Sequence, residues 1–386
     1  MLATLTNTPR DYAWGSTTLI AALQGREPTG SPEAEVWFGD HPGSPALLGG
    51  DAAQAGRPLD AWLAEHGSGA LSYLLKLLAA ASPLSIQVHP SKEQAEIGYA
   101  AENTAGIPKD AAHRTYRDDN HKPEVIVALS DRFEALAGLR DLPSTRRLLA
   151  TLGDAPGVVE LRRHLDSDDP AAALRDTLAW LLSGDAQDTV DDVIAALEGA
   201  GSAEFETELA AARRIAVAYP GDPGVVVALL MNHVVLARGE AIFVPAGVLH
   251  AYLQGLGVEI MAASDNVLRG GLTPKHIDVA ELLRIVDTAP SAPPRLAPRP
   301  VADGVEVFAP GIPDFELFRV RVDGAPRTLA LHGAAIALAV AGEVGVAGDS
   351  GVVVDLPPGT AAFATPDETT LTVGGHGEVF VAQPGR

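Results

Sequence analysis

The chain has 386 residues, 47% of them hydrophobic, more than one compact core accommodates, which implies two or three domains. Its formal net charge of -22 argues against a nucleic-acid or anionic-membrane surface, since both need a basic face, so an anionic small substrate would require a local cluster of cations. There is no cysteine, which excludes disulfides, thiolate zinc sites and cysteine nucleophiles and leaves His, carboxylate and amide oxygen as metal ligands. The first residues lack the charged-then-apolar layout of a signal peptide, and no apolar run reaches the roughly 18 residues of a membrane helix. A soluble cytoplasmic monomer with neither nucleic-acid nor membrane partner is expected.

Residues 1–130 alternate short apolar runs with turn clusters (NTPRD, DHPGSP, HPSKE, DDNHKPE), a pattern of strands with a few short helices. The run 71–81 (LSYLLKLLAAA) fits a helix or a strand. Residues 85–89 read as a strand ended by Pro90, and 123–129 as a β-branched strand with proline at its first position, where a missing donor does least harm. From 131 to 218 the texture turns helical. Asp169 supplies a cap, Pro170 the first helical position, and AAALRDTLAWLL follows with apolar residues at helical spacing. DTVDDVIAALEG and AEFETELAAARRIAVA continue the pattern, so 131–223 reads as an inserted helical domain without a constellation of chemistry.

Strand texture returns at Gly224 (GVVVALLMNHVVLA) and leads into 239–278. A proline-rich stretch after Leu283 (APSAPPRLAPRP) marks a boundary. Beyond about residue 301, short apolar runs with Gly/Pro turns suggest a second β-sandwich. Within it, GTAAFATPD at 359–367 echoes GEAIFVPAG at 239–247, a hint of two copies of one barrel. The echo has no histidine where the first copy has His250, so only the first is expected to carry a metal. Residues 1–130 with 224–290 are therefore assigned to one barrel domain, 131–223 to the helical insertion and 291–386 to a second barrel without metal.

The stretch 239–278 opens as a buried strand at 241–244, turns at Pro245-Ala246-Gly247, and then delivers His250, Tyr252, Glu259, Asp265, Arg269 and Lys275. Unpaired buried polar groups cost roughly 1–3 kcal/mol each, so these side chains are expected to meet in a pocket. Gln87 and His89, two apart on a strand, share a face. With Glu124 and His250 they could close a site of two imidazoles, one carboxylate and one amide oxygen around a divalent ion. Imidazole and carboxylate suit zinc, whereas glutamine supplies only a weak carbonyl oxygen. Each residue also has an ordinary structural reading: Gln87 as a hydrogen-bonded polar group, Glu124 in a salt bridge, Arg269 paired with Asp265, Lys275 exposed beside a turn, Tyr252 and Trp14 as packing. His121 is assigned a structural or supporting role. His41, His66, His113, His164, His233, His276, His332 and His376 have no partner identifiable in the sequence and are read as surface or satisfied core residues.

Several stretches resemble the type I mannose-6-phosphate isomerases (phosphomannose isomerases). They are SIQVHPS at 85–91, DDNHKPE at 118–124, and GEAIFVPAGVLHAYLQGLGVEIMAASDNVLRGGLTPK at 239–275. So do Tyr12-Ala13-Trp14-Gly15, EVWFGDHPGSPA at 35–46 and LLKLLAAASPLSIQ at 74–87. The resemblance covers the N-terminal and central parts and is weak across the helical insertion and the tail. It implies a mainly β fold with an α insertion, built as two cupin-like jelly-roll barrels plus a helical domain, with one zinc (Zn2+) per chain. Carried over, it makes Gln87, His89, Glu124 and His250 the zinc ligands and puts the family's active-site arginine on Arg269. Lys122, Glu259, Lys275 and Tyr252 fall on positions lining the family's cleft, and Trp14, Ser85 and Lys76 lie in its motifs. The local departures are small, such as Gly270-Gly271 where an alanine is expected first.

The implied activity is a zinc-dependent aldose-ketose isomerisation of mannose 6-phosphate and fructose 6-phosphate, a small phosphosugar substrate, by proton transfer through an enediol(ate). Fixed positive groups would meet the charge developing on oxygen, and a base would move the proton. Lys122 and Glu259 are the rival bases. Arg269 with Lys275 suits phosphate or the enediolate, since guanidinium contacts oxyanions in bidentate fashion. Two other readings compete. A cupin oxygenase would use similar ligands with redox-active iron but has no need of the motif lysines and Arg269. A non-catalytic sugar-binding cupin would bind the phosphosugar without forming product.

Overall fold

The run 71–81 is a strand, Tyr73–Ala80, buried along its whole length. It lies between Glu35–Phe38 and His250–Ala262 in an antiparallel sheet whose two faces are both covered, and double-sided burial erases the alternation that marks a half-exposed strand. The structure, a computed structural model, describes residues 1–50 and 55–386. Among the described residues it is mainly β, with two large antiparallel sheets and ten helices.

The long strand His250–Ala262 organises one sheet. Its second half pairs with Tyr73–Ala80 and with Glu124–Ala128, setting Glu259 opposite Lys76 and Ile126. Its first half turns to other neighbours, so that His250 pairs with Gln87 on one side and Ala137 on the other. The change of partners follows a register shift after Tyr252 and a left-handed glycine, Gly255 at φ +122, packed against Phe133. The short strands Gln87–Val88 and Leu268–Arg269 pair with each other, placing Arg269 opposite Gln87.

The other sheet runs through Val305–Phe308, Glu316–Asp323, Thr370–Gln383, Ala335–Gly348 and Ala361–Ala364, and the chain's first strand, Leu2–Thr6, adds to Ala361–Ala364. An apolar core that includes Leu75, Leu77, Val125, Val258, Phe308, Phe363 and Phe380 joins the two sheets. A further core, built by the helices between residues 142 and 230, also takes in Ile86, Val88, Leu249, Leu268 and Leu272. The segments carrying the candidate site therefore lean on the helices from behind.

Two sequence expectations change here. The segment read as helical from residue 131 begins with a strand, Phe133–Leu139, whose alanines and leucines have helical propensity but fill a slot between His250–Ala262 and Met231–Leu236. Conversely, Gly224–Leu230 (GVVVALL), read as strand, is a helix buried on all sides. A short apolar run with no exposed face carries no period to read, and here packing among the other helices decided. The helix Pro170–Leu182 starts as expected, with Asp169 accepting from the Ala172 N–H. Gln187–Gly199 and Glu206–Ala218 are also helices. No helix among the described residues is long and apolar enough to cross a membrane.

Candidate active site

Glu124 begins its strand immediately after Pro123, fully within the sheet, and its carboxylate is the centre of the site. His89 Nε2 lies 3.2 Å from one of its oxygens and His250 Nε2 3.4 Å from the other. The ligand atoms of the three residues all fall within 4.8 Å of one another. Both imidazoles are oriented from behind: His89 Nδ1 donates to the Asn266 carbonyl at 2.7 Å and His250 Nδ1 to the Val248 carbonyl at 3.1 Å. With Nδ1 as the N–H, each Nε2 turns a lone pair toward the carboxylate, the tautomer a metal ion requires. His89 Nε2 is buried without a hydrogen bond, although the carboxylate is close. Burial, with the Lys122 charge, lowers the His89 pKa to about 4 and so favours the neutral ring. Gln87, beside His250 in the ladder, donates from Nε2 to Ser85 Oγ at 3.1 Å, which leaves its carbonyl oxygen free.

A cleft of about 480 Å3 opens over this group. Gln87, Glu124 and His250 line it together with Arg269, Lys122, Glu259, Lys275, Tyr252, Ser85, Lys76 and Trp14, while His89 is fully buried behind. The candidate ligands, cations and sugar-facing residues named from the sequence are thus in one place, whereas Asp265, expected in the same pocket, does not line it. Lys122 Nζ sits 2.9 Å from Glu124, and Lys76 Nζ 3.1 Å from Glu259 and 3.8 Å from Glu35. Burial works against the Lys76 ammonium, but Glu259, Glu35 and Glu124 outweigh it and hold its pKa above the ordinary lysine value. Burial, together with the Glu124 and Glu35 charges, raises the Glu259 pKa despite Lys76. Glu124 goes the other way: Lys122 and the two histidines overcome its burial and lower its pKa. Tyr252 donates to Glu124 at 3.3 Å, and burial followed by the two carboxylates raises its phenol. Three buried carboxylates, Glu35, Glu124 and Glu259, thus share the cleft with the cations Lys76, Lys122, Arg269 and Lys275.

Arg269 and Lys275 have no side-chain partner among the described residues, and both pKa values are lowered, by burial first and then by neighbouring cations that include Arg117. Asp265, the alternative partner for Arg269, is bound instead to His41 Nε2 at 3.0 Å. His41 is therefore partnered, and His233, bonded to Glu134 at 3.0 Å, is a satisfied core residue. His121 pairs with Asp314 at 2.8 Å, tying the segment before Lys122 to the tail sheet. The sequence reading did not single out Glu35, Tyr219 or Arg117. Glu35 stood inside a recognised motif, two residues before Trp37, whose indole N–H it accepts at 2.7 Å. Tyr219, at the end of the helical segment, had no local signal at all.

Two oriented imidazoles and a carboxylate at the floor of a cation-lined cleft, in a mainly β frame, define an enzyme site with a metal-binding group. The type I phosphomannose isomerase catalytic-domain model matches residues 2–142. The mannose-6-phosphate isomerase of Escherichia coli (strain K12) is 37% identical over 97% of both chains, and that of Homo sapiens 32% identical over 87% of this chain and 86% of its own. Among solved structures, a point variant of phosphomannose isomerase from Salmonella typhimurium superposes with a TM-score of 0.90 at 35% identity over all of both chains. A zinc-bound mannose 6-phosphate isomerase superposes with a TM-score of 0.89 at 35% identity over the same extent. The chain belongs to the type I mannose-6-phosphate isomerases, and it is an enzyme, an isomerase of that family.

Proposed function

We propose that the chain interconverts D-mannose 6-phosphate and D-fructose 6-phosphate by proton transfer between C2 and C1 through an enediol(ate), with one zinc ion held by Gln87, His89, Glu124 and His250. The observation that carries this reading is the convergence of the His89, Glu124 and His250 ligand atoms within 4.8 Å under a cleft lined by Lys76, Lys122, Arg269 and Lys275. The buried, bondless His89 Nε2 and the Nδ1 anchoring of both rings fit a cation. Zinc bound there supplies Lewis acidity toward a sugar oxygen.

The chain's own groups do the rest. Arg269 and Lys275, free of carboxylate partners among the described residues, hold the phosphate or steady charge on the enediolate oxygens. Lys122 and Glu259 are the groups placed to carry the proton, and Tyr252, Ser85, Lys76 and Trp14 shape the sugar subsite. The architecture we propose is two cupin-like barrels, 1–130 with 224–290 and 291–386, and a helical domain at 131–223, with Leu2–Thr6 crossing to the tail sheet. The repeat of a short strand, a turn and a long strand in both sheets supports it.

A coupled assay with metal analysis on one preparation tests the proposal. Chelation is expected to abolish fructose 6-phosphate formation and added zinc to restore it. Full activity after complete metal loss would refute the reading.

A further inference from the structure

The helical segment ends beside the cleft, and one carboxylate there reaches the loop that carries the free cations. Asp222, between Tyr219 and the helix Gly224–Leu230, accepts three backbone N–H groups: Gly224 at 2.7 Å, Leu272 at 3.0 Å and Thr273 at 3.1 Å. The last two belong to the segment between Arg269 and Lys275. Leu272 has φ +56, the one positive φ outside glycine among the described residues. A side chain with a Cβ disfavours this left-handed backbone, which persists only where the surroundings over-determine it.

Here they do. The Leu272 side chain is 1% exposed and belongs to the apolar core of the helices, while its N–H is held by Asp222. Behind it, Gly271 lies so close to the helix that a Cβ on it would come within 2.4 Å of Gly224 Cα. On the other side, Arg269 is registered against Gln87, the Gly270 N–H donates to the Ile86 carbonyl at 2.8 Å, and the Ile86 N–H to Gly271 at 3.1 Å. Thr273, Pro274 and Lys275 follow at once and line the cleft. The segment is thus tied at one end to the strand of Gln87 and at the other to the helical domain.

We propose that Asp222 is a positioning residue for substrate phosphate: by pinning the Leu272 and Thr273 amides to the helical domain, it sets the spacing of Arg269 and Lys275 across the cleft. This rests on the reading that those two cations hold the phosphate. Loss of the carboxylate lets Leu272 leave its left-handed conformation and moves Lys275 relative to Arg269.

The test uses the zinc-loaded enzyme, Asp222→Ala, Asp222→Asn and Arg269→Ala. Asp222→Ala is expected to raise KM for mannose 6-phosphate about tenfold, with a smaller change in kcat and zinc content unchanged. Inhibition by inorganic phosphate should weaken by the same factor, and Asp222→Asn, which keeps one acceptor oxygen, should fall between wild type and alanine. Independently of any variant, the Thr273 amide of the wild-type enzyme is expected to exchange slowly with deuterated solvent. Unchanged KM and phosphate inhibition in zinc-loaded Asp222→Ala, a fall in kcat alone, or free exchange at Thr273 would overturn the positioning role. If Arg269→Ala also leaves phosphate inhibition intact, the phosphate reading itself fails. If Arg269→Ala weakens it and the Asp222 variants do not, only the role of Asp222 is lost.

Discussion

The stretch from Gly239 through the strand His250–Ala262 and its echo from Gly359 through Thr370–Gln383 share one frame and differ in what fills it. In both, a four-residue strand (Ala241–Val244, Ala361–Ala364) and a five-residue turn lead into a long strand at the centre of its sheet. With Gly239 aligned on Gly359, His250 falls on Thr370 and Glu259 on Val379. Glu259 lies opposite Lys76, whereas Val379 lies between Val320 and Ala339 in an apolar core. The same backbone therefore serves as a site or as a support according to side chains alone. Buried charge is tolerated at Glu259 because Lys76 is its partner at 3.1 Å, whereas the residues in register with Val379 are apolar.

Arg269→Ala tests the chemical half of this contrast and should have the largest effect. Turnover is expected to fall about 10²–10³-fold with zinc retained, the cost of removing a fixed group that meets developing charge. Parallel loss of zinc, measured by metal analysis, would make Arg269 structural. Val379→Glu tests the other half by putting the Glu259 carboxyl where no Lys76 equivalent exists. It is expected to destabilise the folded chain by roughly 3–5 kcal/mol in denaturant unfolding, as for a buried charge without its partner. A neutral result would mean that the sheet of Thr370–Gln383 is as permissive as that of His250–Ala262.

Glu134, on the strand Phe133–Leu139 beside His250–Ala262, separates structural from chemical polarity within one sheet. It is buried outside the cleft, bound by Arg132 at 2.9 Å, His233 at 3.0 Å and Arg214. Burial opposes ionisation, but those partners pull its pKa from the ordinary 4.5 down to about 2. A folded-state pKa below the unfolded one contributes stability above about pH 4.5 that is lost as pH falls toward 2. Glu134→Gln should therefore lower Tm near neutrality and converge on wild type in acid, with little change in KM. A gap that widens in acid would contradict this sign. Thr370→His is the mildest change, expected to leave metal content at one zinc per chain, since Thr370 is paired with Ala330 and bonded to one carboxylate, Asp349, and one imidazole with one carboxylate falls short of the group at Glu124.

The candidate site was legible in part because residue spacing and type survive folding and in part, for Gln87 above all, through the resemblance to a known family. Gln87, His89, Glu124 and His250 stand at strand starts and ends, where alternation and flanking prolines declare a face. The lysines stand out because the chain has five against 23 arginines. Tyr219, Arg117 and Asp222 were silent because nothing local marks a residue whose partners lie on a distant segment. The helix Gly224–Leu230 was misread for a related reason, since burial on every side leaves no periodicity.

By itself, then, the order of residues determined which candidate ligands and cations the chain has, that no thiol takes part, and the strand-turn-strand frame that occurs twice. The tertiary structure alone decided which rings present Nε2 to Glu124, which cations stay unpaired and which helix end holds the loop of Leu272. Those outcomes depend on hydrogen bonds and packing between segments far apart in the chain, and their free energies are settled only when the segments meet.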